Sequence, residues 1–279
     1  MTLFEVYKKS LTQLKNPDTE EINIRILLCE INGLKTMSDF YLRKDEEIRD
    51  LPRFNEYFER FLNSEPVQYI LHKTQFLGLD FYVDNRVLIP RQESEEVVDF
   101  ALKKIKEKFG NNSIDVADVC CGSGVMGLTI AKKINVNRLY LSDISKDAID
   151  VAKKNATDLN VNAETFVANS LDGLIKNNIK VDVLISNPPY ILENEPVDES
   201  VLNNEPHLAL FADKDFSVYK SIISNLKNIN KNNLLVVFEI GLNTRKVVEK
   251  YINDYYPEAE YQFIKDMNGK ERIVYIFLK

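Results

Sequence analysis

The sequence contains no run of about 18 uncharged apolar residues, the least a helix needs to cross a bilayer. Met1-Thr2-Leu3-Phe4-Glu5 lacks the basic stretch and apolar core of a secretory signal, so a cytoplasmic protein with no membrane partner is expected. Cysteine is scarce. Cys29, Cys120 and Cys121 form no metal-ligand spacing, and a vicinal pair is a poor geometry for a disulfide, so the three read as small buried thiols and no metal is expected. Excess positive charge is missing too: 36 Lys and Arg stand against 43 Asp and Glu, a net charge of −7. No Lys/Arg-rich segment is interleaved with aromatics, which argues against a direct grip on nucleic-acid phosphates. Lys103, Lys104, Lys106 and Lys108 read as a solvated face. There is neither an internal repeat nor a low-complexity tract.

What is present suits a packed core: 44% apolar residues, with 15 Phe and 13 Tyr. A length of 279 residues points to one main domain and a smaller one. Residues 1–65 read as short helices. Leu3, Tyr7, Leu11 and Leu14 make one apolar stripe; Asn16-Pro17-Asp18 ends that element. Asp18 is expected to cap the next helix, with Glu21 completing a capping box and Gly33 closing it, while Ile22, Ile26 and Cys29 supply its buried face. Phe54, Tyr57, Phe58, Phe61 and Leu62 follow the spacing of a core-facing helix that Pro66 stops. Residues 66–90 turn toward strand and turn, with 76–83 patterned as a hairpin connector. From 91 to 279 β-branched runs alternate with helical stretches, the signature of an α/β domain with a mostly parallel sheet covered on both faces. The runs fall at 114–120, 138–143, 163–168, 181–186, 234–240, 260–264 and 272–278, the last two as an antiparallel pair.

Three motifs carry chemistry. Asp118-Val119-Cys120-Cys121-Gly122-Ser123-Gly124-Val125-Met126-Gly127 leaves a strand and opens a helix, with glycines that let backbone approach a ligand. Gly122, Gly124 and Gly127 also satisfy the dinucleotide fingerprint, so this loop alone does not separate a nicotinamide cofactor from S-adenosylmethionine; a plain strand-to-helix turn is the bland reading. Asp143 ends the next strand, where an acid can accept both hydroxyls of a ribose, and Ser145 is better placed to cap the helix that follows.

The third motif, Asn187-Pro188-Pro189-Tyr190, directly follows the strand at 181–186. Two prolines fix the backbone and remove two donors, so carbonyls there face a ligand with no competing N–H, and the Asn187 side-chain oxygen adds an acceptor. Such a site grips an NH₂ group. A conjugated nitrogen is a poor nucleophile, and acceptors on both of its hydrogens orient it and favour the positive charge that develops when it is alkylated. Tyr190 can pack on the planar group. The bland alternative is a rigid Pro-Pro turn.

With these residues in place, nearly the whole chain resembles the bacterial peptide-chain release factor N5-glutamine methyltransferases, the PrmC/HemK family. The likeness takes in the glycine loop and Asn187 to Tyr190, together with Pro66 to Leu71, Val87-Leu88-Ile89-Pro90-Arg91, Glu205-Pro206, Phe238-Glu239-Ile240-Gly241 and Asp266, Gly269 and Arg272. The resemblance implies a class I, Rossmann-like, seven-stranded S-adenosylmethionine methyltransferase domain preceded by a small helical domain that helps hold the release factor. It implies methylation of the glutamine in the factor's Gly-Gly-Gln motif; separately, a monomer is expected. Residue by residue, it implies cofactor contacts from Cys120, Cys121, Gly122, Ser123, Gly124, Asp143, Asn169, Ser170 and Asn187, with Asn187, Pro188, Pro189 and Tyr190 taking the glutamine side chain. Cys120 stands at the family's first loop glycine, Asn169 where it has an acid, Ser170 where it has a larger apolar residue, Gln92 in place of a proline, and Asp213-Lys214-Asp215 in place of Gly-Asp-Gly.

Other readings compete. A related glutamine methyltransferase for a ribosomal protein shares the catalytic motifs; Pro66 to Leu71 and Pro90-Arg91 favour the release-factor branch. A DNA adenine-N6 methyltransferase uses a similar Asn-Pro-Pro-Tyr motif but must flip a base and hold phosphates, against the acidic balance here. A nicotinamide oxidoreductase would leave Asn187 to Tyr190 idle. Asn169 and Ser170 motivate a chain that binds without turnover.

Overall fold

The computed structural model describes Met1–Lys279, apart from the side chain of Thr19. In chain order it contains α1 (Leu3–Leu11), α2 (Pro17–Asn32), α3 (Met37–Leu42), α4 (Leu51–Leu62) and α5 (Val67–Leu71), then the strands β1 (Thr74–Phe76) and β2 (Leu79–Phe81). Next come α6 (Gln92–Phe109), β3 (Ile114–Val119), α7 (Val125–Lys133), β4 (Val136–Asp143), α8 (Lys146–Asp158), β5 (Glu164–Val167), α9 (Asp172–Lys176) and β6 (Val181–Ser186). The remainder is β7 (Ile191–Leu192), α10 (Glu199–Asn204), α11 (His207–Leu210), β8 (Phe211–Ala212), α12 (Ser217–Ser224), β9 (Asn230–Glu239), α13 (Arg245–Tyr255), β10 (Glu260–Lys265) and β11 (Glu271–Leu278). No helix is long and apolar enough to cross a membrane among the described residues.

The chain divides into two compact units. One is Met1–Lys73 with Glu199–Asn204; the other is Thr74–Asp198 with Glu205–Lys279. In the first, α1 to α5 bury Leu3, Ile24, Leu27, Leu28, Phe40, Phe54, Phe58 and Ile70 as one cluster. Gly33 ends α2 in the left-handed conformation, φ = +65°, as its position predicts. The start of α2 differs from expectation: the helix begins at Pro17, so Asn16 is the N-cap and Asp18 lies inside the first turn without a capping role. Proline at the first helical position is the cause, since its fixed φ is already helical and its missing N–H would have had no partner there. Val67–Leu71, expected as extended chain, is a short helix capped by Pro66. Val67 and Ile70 join the buried helical cluster, and burial decides the segment's conformation.

The second unit is built on a seven-stranded sheet of order β10-β11-β9-β6-β3-β4-β5. All pairs are parallel except β10 with β11 and β11 with β9. All seven runs expected from sequence form its strands. Successive residues face opposite sides: Val116, Val183, Leu235 and Val237 pack with α6, α7 and α8, whereas Ala117, Leu184, Val236 and Phe238 pack with α9, α12 and α13. Every residue of β3 is buried, as a central parallel strand requires. The hairpin is present: β1 and β2 pair antiparallel across Leu77-Gly78, both at positive φ, the turn chemistry that suits twisted strands. The lysines of α6 are only partly a solvated face. Lys104 lies over the Tyr275 ring, 4.6 Å from its centroid, and Lys108 over Phe277 at 4.4 Å while pairing with Glu260 at 2.8 Å. Their stems cover the sheet edge, and only the charged ends remain near water.

Candidate active site

The strand order reverses at β3: β4 and β5 lie to one side, β6 and β9 to the other. Open α/β sheets bind ligands at the carboxyl ends of strands flanking such a switch. Here those ends are Val119, leading into the glycine loop; Asp143 on β4; Ala168 after β5; and Asn187 after β6. A single cavity is lined by Cys120 to Ser123, Asp143, Asn169, Ser170, Asn187 and Pro189. Of the residues singled out from sequence, Gly124, Pro188 and Tyr190 do not line it.

The loop is tight because three of its residues take left-handed backbone: Cys120 at φ = +59°, Gly122 at +53° and Gly124 at +79°. At Cys120 this costs an L side chain about 1 kcal/mol, which is the physical reason glycine suits that place. The Gly124 amide turns back onto the Cys121 carbonyl at 2.7 Å, and Gly124 becomes the N-cap of α7. Asp143 holds the loop from the neighbouring strand: its Oδ2 accepts the Gly122 N–H at 2.9 Å and its Oδ1 accepts the Ser145 N–H at 2.9 Å. Burial raises the Asp143 carboxyl above its ordinary value, against the pull of the backbone donors from Ser145, Gly122 and Ile144. Ser145 caps α8 through the Ala148 N–H, as expected, which leaves Asp143 to the cavity. Burial pushes the thiols of Cys120 and Cys121 well up, so neither supplies a thiolate nucleophile.

Asn187 lines the cavity with a side chain that has no hydrogen-bond partner among the described residues, so its carboxamide is available to a ligand. Ser170 is buried at φ = +50°, and its hydroxyl also lacks a partner among the described residues. Pro188 is buried. Its carbonyl is not free of donors as the two prolines alone suggested: the Tyr219 hydroxyl, on α12, lies 3.3 Å from it while donating to the Glu239 carbonyl at 2.8 Å. Tyr190 is half-buried, its ring against Gly241 and its hydroxyl donating to Glu239 Oε1 at 3.1 Å.

Val87, Leu88 and Pro90, which the resemblance marked without a role, line the cavity with apolar surface, joined by Ile144, Leu208 and Val218, which no motif reached. Ile144 and Leu208, at 53% and 59% exposure, put apolar surface at the open part of the cavity wall. The Val87–Arg91 segment is fixed by the buried Glu205, which accepts the Ile89 N–H at 3.0 Å and pairs with Arg91. Asn155 of α8 ties the hairpin to the loop: it exchanges two hydrogen bonds with the Tyr82 backbone and donates to the Ser123 carbonyl at 2.9 Å. Nothing in the local sequence marks that role.

A glycine loop after one strand, an acid ending the next and Asn-Pro-Pro-Tyr after a third, grouped at the switch point of a seven-stranded sheet, define a class I methyltransferase. The family model described as Methyltransferase small domain matches residues 93–205, and the PrmC N-terminal domain matches residues 5–71. The chain is 36% identical over 279 residues to the release factor glutamine methyltransferase of Bacillus subtilis strain 168, covering 98% of this chain and 96% of that one. It is 31% identical over 281 residues to that of Bacillus anthracis, covering 99% of each. The chain belongs to the release factor glutamine methyltransferase family. Among solved structures, the fold is similar to a ribosomal protein L11 methylase from Lactobacillus delbrueckii subsp. bulgaricus, at a TM-score of 0.50 and 16% identity over 71% of this chain and 83% of that one. It is also similar to the T. thermophilus 16S rRNA N2 G1207 methyltransferase, at a TM-score of 0.53 and 12% identity over 74% and 50%.

Proposed function

We propose that this protein transfers the methyl group of S-adenosylmethionine to the side-chain amide nitrogen, N5, of the glutamine in the Gly-Gly-Gln motif of peptide-chain release factors. The observation that carries the reading is Asn187: its unpartnered carboxamide opens into the same cavity as the glycine loop and Asp143. The family's naming on release factors supports the substrate.

The residues fit the cofactor. Asp143 uses one lone pair of each oxygen on backbone N–H groups, which leaves acceptor capacity for ribose hydroxyls. Gly122 has open space where a side chain would stand, so the loop admits close approach. Ser170, with its unpartnered buried hydroxyl, lines the same pocket beside exposed Asn169. Cys120, Cys121 and Ser123 complete the contact loop, and Gly124 sets its turn into α7. When bound, S-adenosylmethionine supplies an electrophilic methyl group.

The chain's own part is to orient the amide. Asn187 Oδ1 and the carbonyl of Pro189, the two motif residues that line the cavity, accept its hydrogens, turning the nitrogen lone pair toward the methyl donor. Tyr190 completes that segment. No side-chain base is required, because an alkylated amide nitrogen is strongly acidic and loses its proton to water. Consistent with this, burial raises the Tyr190 hydroxyl and keeps it neutral. The same reading has the helical unit helping to hold the release factor, and the chain acting as a cytoplasmic monomer on protein and not on nucleic acid, in keeping with its net charge of −7.

The test is methyl transfer from radiolabelled S-adenosylmethionine to purified release factor, to its Gln→Ala variant, to ribosomal protein and to duplex DNA. Label on the intact factor alone is expected, with Asn187→Ala slowing transfer by about a hundredfold. Label on ribosomal protein or on DNA instead would overturn the substrate assignment.

A further inference from the structure

The motifs at Phe238 to Gly241 and at Asp266 and Arg272 do not line the cavity, yet they converge on Tyr190. Glu239 ends β9 and is 1% exposed. Its Oε1 accepts the Tyr190 hydroxyl at 3.1 Å and its Oε2 accepts the Ser94 hydroxyl, from α6, at 2.6 Å. Its backbone carbonyl accepts the Tyr219 hydroxyl, the same group that lies 3.3 Å from the Pro188 carbonyl. The Tyr190 ring rests on Gly241, where a Cβ would come within 2.7 Å of Cδ2. The Arg272 guanidinium lies 5.9 Å from the ring centroid and donates to the Ile240 carbonyl at 3.3 Å, with Asp266 3.8 Å from its Nε.

A carboxyl so deeply buried is costly unless its hydrogen bonds serve a purpose, and an apolar residue of similar size would fill the space more cheaply. Both of its side-chain bonds go to groups at the site: Ser94 lines the cavity, and Tyr190 ends the amide-binding segment. We propose that Glu239 is a positioning residue for methyl transfer, fixing Tyr190 through its hydroxyl and thereby the alignment of Asn187 and the Pro189 carbonyl; this rests on the reading of the site as an amide-methylating one. With the proline torsions already set, anchoring the segment at Tyr190 and at Pro188 leaves Asn187 little room to drift. Small misplacements of reacting groups cost rate far more than they cost binding.

The experiment compares wild type, Glu239→Gln, Tyr190→Phe and the double variant. Each is measured for kcat and KM on release factor and for S-adenosylmethionine affinity by calorimetry. Protein labelled with 3-fluorotyrosine adds a fluorine spectrum in which the Tyr190 line, among 13 tyrosines, is assigned by its loss in Tyr190→Phe. Glu239→Gln is expected to lower kcat about tenfold, to leave cofactor affinity within about twofold, and to shift or broaden the Tyr190 line. The double variant is expected to be no slower than the slower single one, because both substitutions act on one bond: Tyr190→Phe removes its donor, and Glu239→Gln replaces its charged acceptor with a weaker neutral one. Unchanged kcat in Glu239→Gln, or losses that multiply, would overturn the proposal. If wild type does not methylate release factor, the substrate reading fails alone, and the fluorine line decides: displaced, Glu239 positions Tyr190; unmoved, it does not. Should Glu239→Gln fail to fold, Ser94→Ala removes only the second donor on the carboxyl and gives the same readings at about threefold.

Discussion

The backbone N–H of Gly127 donates to Asp118 Oδ2 at 2.8 Å, and a Cβ on Gly127 would stand 2.8 Å from Asp118 Cβ and 3.0 Å from Leu141 Cδ2. Helix α7 can therefore reach strand β3 only through a glycine. Gly127→Ala is expected to destabilise the protein by about 2 kcal/mol in urea titrations and to weaken S-adenosylmethionine binding, since α7 carries the glycine loop. Unchanged stability would mean that helix and strand part without cost.

Asp118 itself links pH to stability. Burial raises its carboxyl to about 7, with the Asp143 charge adding to the effect and the Gly127 N–H opposing it, and its Oδ1 has no partner among the described residues. Between the ordinary value of 3.8 and about 7, the folded chain holds a proton here that the unfolded chain has released. Stability from this group therefore falls as pH rises through that window, by up to about 1.4 kcal/mol per unit. Asp118→Asn is expected to flatten the slope between pH 5 and 7 in denaturation midpoints; an identical slope in the variant would refute the assignment.

Asp115, three residues earlier on the same strand, acts in the opposite sense. It is fully buried, its Oδ1 accepting Asn137 at 2.7 Å and its Oδ2 accepting Arg138 at 2.9 Å and Lys231 at 3.0 Å. Burial works to raise this carboxyl, but the donors from Arg138, Asn137 and Lys231 outweigh it and hold it at about 2. Its contribution is complete above the ordinary 3.8 and is lost as pH falls toward 2. Asp115→Asn is expected to cost on the order of 2 kcal/mol at neutral pH and to make the variant less sensitive than wild type to acid between pH 4 and 2. Parallel acid-unfolding curves would show that the network adds nothing.

The sheet and the motifs were legible because each is written locally. Seven β-branched runs announce seven strands, Gly122 and Gly124 announce a left-handed turn, and Pro188-Pro189 announce a rigid one. Even the local signals could mislead where two principles competed: Pro17 displaced Asp18 as the start of α2, and burial turned Val67–Leu71 into a helix. What stayed hidden depends on partners far apart in sequence. Glu239 meets Ser94 across 145 positions and Tyr190 across 49, and Asn155 meets Tyr82 across 73. No spacing rule spans such distances, and only the strand order brings these side chains together.

The three hydrogen bonds of Asn155 bear on where this enzyme could be divided. The methyltransferase match begins at residue 93, whereas the physical unit begins at Thr74. A fragment started at the match would discard the Tyr82 anchor behind the glycine loop, the Val87–Pro90 wall of the cavity and the Arg91 partner of Glu205. Recombination or truncation at that point would sever a module whose inheritance as a unit is dictated by its hydrogen bonds, so the portable piece of this protein starts some twenty residues before its recognisable signature.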